Sequence, residues 1–141
     1  EIDTGTDTTR AMPVDQFVAS TRNVRYYKIR ALPAATAHTA STTVGGDTDA
    51  DFAGTIISVK ATVDTAGVTG VATIDVNKNG TTILSTKITI DSTEKTSATA
   101  ATPPVISVSA LAANDILTID IDGIQTTAAF GLVVTIGVRM T

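Results

Sequence analysis

From Thr55 to the C-terminus the chain alternates apolar and polar residues with a period of two, and this feature limits the fold most. In "TIISVKATVD", Ile57, Val59, Ala61 and Val63 are expected to face inward, with Ser58, Lys60, Thr62 and Asp64 outward. "VATIDVN" repeats the pattern with Ala72, Ile74 and Val76. "TTILSTKITID" does so with Ile88 and Ile90, and "ILTIDID" with Leu117, Ile119 and Ile121. The closing "GLVVTIGVRM" does so with Leu132, Val134, Ile136 and Val138. Gly, Asn, Asp and Pro punctuate these runs, as turns require. No stretch after Thr55 holds the helical i, i+3, i+4, i+7 pattern. Strands with one polar face belong to antiparallel sheets, and two such sheets bury their apolar faces against each other. The expected fold is all-β: an antiparallel, jelly-roll-like β-sandwich over residues 26–141 with an extended N-terminal arm, residues 1–25.

The residue types agree. Thr makes up about a fifth of the chain, and Thr, Val and Ile suit a pleated surface. Only 4% of residues are aromatic, so the core is aliphatic. A chain of 141 residues buries enough surface to fold as one domain without a staple. There is no cysteine, which excludes disulfides and thiol chemistry. The formal charge of −4 argues against a general nucleic-acid binder, and no apolar run approaches the roughly 18 residues of a membrane helix. The chain opens on Glu1 rather than Met, which reads as a processed, trimmed or partial chain.

"YYKIRAL" is expected to be the first strand, with Tyr27, Ile29 and Ala31 on one face and Tyr26, Lys28 and Arg30 on the other. Pro33 is expected to stop it, and residues 33–54 read as a long connection of small residues, open between a loop and a further strand.

"DVNKNG" (75–80) matches the first half of a calcium loop through Asp75, Asn77, Asn79 and Gly80. The full loop needs a bidentate Glu at its twelfth position and flanking helices. The twelfth residue is Thr86 and the flanks alternate as strands, so Asn79-Gly80 reads as a hairpin turn and Asp75 as a solvent-facing residue. "DTDAD" (Asp47, Asp49, Asp51) is the better calcium candidate, although acidic loops are mostly just solvated. Asp120 and Asp122, with Asp115 nearby, could form a carboxylate pair, but they also fit the outward face of a strand. The only histidine, His38, has no carboxylate or nucleophile at a telling spacing. No nucleophile-elbow, phosphate-loop or zinc-protease motif is present, so neither an enzyme nor a cofactor is expected.

The arm carries scattered apolar residues, Met12, Val14, Phe17 and Val18. Half of the ten Lys and Arg lie in the first thirty residues, among them Arg10, Arg22 and Arg25. The first group reads as anchors on a partner, and the three arginines as contacts to an acidic surface. An ordinary solvated strand face would explain the same charges.

Three stretches carry a resemblance: "DTAGVTG" (64–70), "TIDVNKNGTTI" (73–83), and "LTIDID" followed by an apolar strand after "GL" (117–132). They resemble a small β-sandwich module of tailed-bacteriophage virion structural proteins, of the head decoration, head fibre or tail fibre type. The resemblance implies a non-enzymatic role on the outer surface of a virion, most simply as a capsid decoration (cement) protein. It would contact the major capsid protein or another virion protein and form a homo-oligomer, with a trimer expected. The alternative it implies is a receptor-binding or fibre tip domain that uses the sandwich loops.

Overall fold

The structure, a computed structural model, describes residues 23–141. Its long strands are β1 (Val24–Ala37), β2 (Ser41–Asp49), β3 (Gly54–Thr62) and β4 (Ala72–Lys78). Short strands follow: β5 (Thr81–Thr82), β6 (Leu84–Thr86), β7 (Ile88–Ile90), β8 (Val105–Ile106) and β9 (Ala110–Leu111). Two long strands, β10 (Ile116–Gly123) and β11 (Phe130–Met140), end the chain. One sheet has the order β1-β11-β3-β9, and the other β2-β10-β4-β5 with β7 also on β4. Every pairing is antiparallel.

The pairings are nested. β1 pairs β11, β2 pairs β10, β3 pairs β9, and β4 pairs β5 and β7. This is one long antiparallel hairpin rolled into two facing sheets, the arrangement of a jelly roll. β6 and β8 form a separate two-stranded flap. The inward residues of both sheets build one aliphatic core, in which Ile74, Ile88, Ile90, Leu117, Ile119, Leu132 and Ile136 are fully buried. Each such side chain contributes about 1.5–3 kcal/mol on leaving water.

Four details correct or complete the sequence reading. In β3 it is Ile56 that is buried, while Ile57 is 38% exposed. The register passes from Gly137 opposite Ser58 to Val138 opposite Ile56, so Ile57 is the extra residue of a β-bulge, and the inward phase shifts by one. Second, β1 does not stop at Pro33 but runs to Ala37 with two register shifts. It is the outer strand of its sheet, where a proline deprives no neighbour of a ladder bond. Third, residues 33–54, which the sequence leaves open between loop and strand, contain β2. Gly45 of β2 lies so close to β1 that a Cβ there would sit 2.5 Å from the Ala31 carbonyl oxygen. Fourth, "TTILSTKITID" is three short strands rather than one. The adjacent residues Ile83 and Leu84 are both buried, which breaks the alternation.

The sandwich has two distinct ends. At the first, Asn23 Nδ2 donates to Met140 O (3.1 Å), Thr141 N to Ala53 O (3.3 Å) and Ala50 N to Asp115 O (2.8 Å). At the other end the 63–71 and 124–129 loops bond to each other through Val68 and Thr127, while His38 N donates to Ala129 O.

Candidate functional site

The "DVNKNG" stretch folds as the hairpin its last two letters suggest. Asn79 (φ 51°) and Gly80 (φ 79°) both occupy the left-handed region between the paired Lys78 and Thr81. The Asn79 side chain also fastens the turn to β10. Its Nδ2 donates to Asp115 Oδ1 (2.7 Å), and its Oδ1 accepts from Ile116 N (2.8 Å). Asp115 accepts from Ala112 N as well (2.8 Å). The Ala112 bond first, then Asn79 and nearby Lys78, holds the Asp115 carboxyl below its ordinary range, against a smaller opposing effect of desolvation.

Asp75 does not point to solvent: it is 4% exposed. Its Oδ1 accepts from Thr82 Oγ1 (2.6 Å) and Val76 N (2.8 Å), and its Oδ2 pairs with Lys87 Nζ (3.2 Å). Lys87 also binds Asp122 (2.7 Å), and the Asp122 bond first, then Asp75, raises the Lys87 pKa against desolvation. Asp120 accepts from Asn77 Nδ2 (2.7 Å) and from Thr43 N (2.5 Å). The oxygens that a calcium ion would need on Asp75 are thus occupied by protein donors. Among the described residues no three His, Cys, Asp or Glu side chains converge to hold a metal. Asp49 and Asp51 are exposed, while the side chain of Asp47 lies outside the described ones. No cleft or cavity opens among the described residues. His38 is buried, with Nε2 2.9 Å from Gly131 O.

The two broad outer faces of the sandwich differ in charge. On β1-β11-β3 the outward rows are Val24–Arg139–Thr55, Tyr26–Gly137–Ser58, Lys28–Thr135–Lys60 and Arg30–Val133–Thr62. Four cations stand on this face against one carboxylate, Asp64, which Arg30 binds at 2.8 Å. That hydrogen bond raises the Arg30 pKa and lowers that of Asp64. Lys28, Lys60 and Arg139 have no acidic partner among the described residues. Tyr26, 62% exposed, lies in the notch left by Gly137, where a Cβ would come within 3.1 Å of its ring. The outer face of β2-β10-β4 reverses the balance: among the described residues it carries Asp49, Asp120 and Asp122, and Lys87 covers the buried Asp75.

Of the residues expected to contact a partner, Arg10, Met12, Val14, Phe17, Val18 and Arg22 lie outside the described residues. Arg25 is exposed on β1 opposite Val138. The basic face was missed. Its signal was present in part, because alternation marks Lys28, Arg30 and Lys60 as outward. The adjacency of β1, β11 and β3, which gathers them, is a long-range pairing that no local pattern encodes.

The class defined here is an antiparallel β-sandwich with jelly-roll strand order. In comparisons with family models, curated proteins and solved structures, nothing matches the chain.

Proposed function

We propose that this is a non-enzymatic structural protein of a bacteriophage virion, a capsid decoration (cement) protein that reinforces subunit contacts on the outer surface of the head. Its partners are the major capsid protein and further copies of itself, with a trimer as the expected assembly. The observation that supports this reading is the uneven surface: a jelly roll whose basic outer face presents three cations without an acidic partner among the described residues, beside an exposed tyrosine. Such a face suits contact with an acidic protein surface. A fold of this kind hosts many functions, so the weight rests on that surface and on the motif resemblance. Arg25 at the start of β1 and the arm residues Arg10, Met12, Val14, Phe17, Val18 and Arg22 are the proposed further contacts.

Light scattering on the full chain and on a chain lacking residues 1–22 tests the assembly. A trimer that depends on the arm supports cementing. A monomer indifferent to the arm counts against it.

A second reading, a receptor-binding or fibre tip domain, has its own support. Val68, Val71 and Ile124 are exposed on the loops at the end of the sandwich opposite Asn23. It predicts that binding to host cells is lost on changing these three residues to serine, with the melting temperature kept.

A further inference from the structure

Among the described residues the two outer faces carry opposite charge: Lys28, Arg30, Lys60 and Arg139 against Asp64 on β1-β11-β3, and Asp49, Asp120 and Asp122 on β2-β10-β4, where Lys87 covers the buried Asp75. We propose that the basic face of one copy docks on the acidic face of a second copy. The occupant is argued from this complementarity. Lys28, Lys60 and Arg139 lack acidic partners among the described residues, whereas the acidic face has a surplus that its own Lys87 does not balance. Asp49 and Asp122 are exposed on that face, and Asp120 is held by hydrogen bonds from Asn77 and Thr43, not by a cation. The apolar component comes from Tyr26 and Ile57 on one side and Ile116 on the other.

The contact is heterologous, since two different patches meet. The faces point in opposite directions, so the contact does not close after two or three copies. It propagates as a row and is separate from any closed trimer. The occupant is a second copy because the chain itself supplies both halves; the acidic protein surface proposed for the basic face above is then that of another copy, and contact with the capsid falls to the arm. The inference goes beyond the virion reading and can fail without it: copies that never stack could still cement a shell through the arm.

Zero-length carbodiimide cross-linking of the full chain is the test. The two sheets of a sandwich pack about 10 Å apart, and outward side chains on opposite sheets point away from each other. A cross-link from Lys60 to Asp120 or Asp122 therefore joins two molecules, whereas Lys28 to Asp49 spans the edge where β1 meets β2 and counts only when a mixture of isotopically light and heavy chains shows it to be mixed. The expected result is these mixed cross-links at low ionic strength, in species larger than a trimer, and their loss near 1 M salt, where screening shrinks to about 3 Å.

Two double variants extend the test: Lys28→Glu with Lys60→Glu, and Asp49→Lys with Asp122→Lys. Each alone should associate at least about tenfold more weakly, and an equimolar mixture should recover the association. If a variant fails to fold, the cross-link map of the unaltered chain decides. Absence of face-to-face cross-links overturns the proposal. So does association that survives both reversals, or that vanishes only when residues 1–22 are removed.

Discussion

Asp75 and Asp120 stand directly opposite each other on β4 and β10, two carboxylates in one cross-strand pair. Like charges in that position are destabilising unless something separates or neutralises them. Here each is handled differently. Asp75 is buried and takes Thr82, Val76 N and the Lys87 ammonium, while Asp120 takes Asn77 and Thr43 N. Lys87 then bridges onward to Asp122. The outer face of this sheet is held by a polar network, not by packing.

Lys87 is the one cation in that network, so Lys87→Met should destabilise the fold by about 1–2 kcal/mol, a moderate figure because its side chain is partly exposed. Urea titration measures it. Adding Asp75→Asn to Lys87→Met should recover part of the loss, since the repulsion is then removed. A Lys87→Met protein with unchanged midpoint would contradict this account.

Stability should fall at both extremes of pH. Asp64 and Asp115 have lowered carboxyl pKa values in the fold. Their stabilisation is present above the ordinary carboxylate value of about 3.9 and is lost as pH drops through their folded values. Lys87 has a raised pKa. Its contribution is full below about 10.4 and disappears as pH rises through its folded value. Thermal melts across pH should show a plateau between these limits. Lys87→Met should flatten the alkaline decline, and Asp115→Asn should reduce the acid one.

The Asn79-Gly80 turn should tolerate little change. Gly80→Ala places a Cβ at φ 79° and should cost about 1 kcal/mol. Asn79→Ala should cost more, because it also removes the bonds to Asp115 and Ile116 N. Equal midpoints for the two variants in urea would contradict the role given to the Asn79 side chain.

Two glycines without positive φ make a sharper comparison. A Cβ on Gly45 meets backbone, the Ala31 oxygen at 2.5 Å, whereas one on Gly137 meets the Ser58 hydroxyl and the edge of the Tyr26 ring. Side chains can rotate away and a paired backbone cannot. Gly45→Ala should cost more than about 2 kcal/mol, and Gly137→Ala under about 1 kcal/mol. The reverse order would show that β1 and β2 do not approach as described.

Calcium at millimolar concentration should leave the melting temperature unchanged. A ligand held only by the native state must raise it, so a clear upward shift would return attention to Asp49 and Asp51.

Alternation made most of the core legible in advance. Val59, Ala61, Ile74, Val76, Leu117, Ile119, Ile121, Leu132 and Ile136 are buried where a period of two places them. It failed at Ile57, because a bulge inserts one residue and turns the phase over, and nothing local in "TIIS" announces it. It placed Asp75 on the outward row, opposite Asp120, but not its burial, because Thr82 and Lys87 fold over it. β2 was hidden by "TTVGGDTD", since glycines read as turns while here one of them admits the β1 backbone. The basic face depends on three strands distant in sequence, which alternation alone cannot bring together.

The most direct test of the central claim is quantitative mass spectrometry of purified tailed-phage particles from cells in which this chain is produced during infection. A capsid decoration protein should be present in every particle at a copy number comparable with that of the major capsid protein. A chain absent from purified particles, while abundant in the infected cells, would contradict the account.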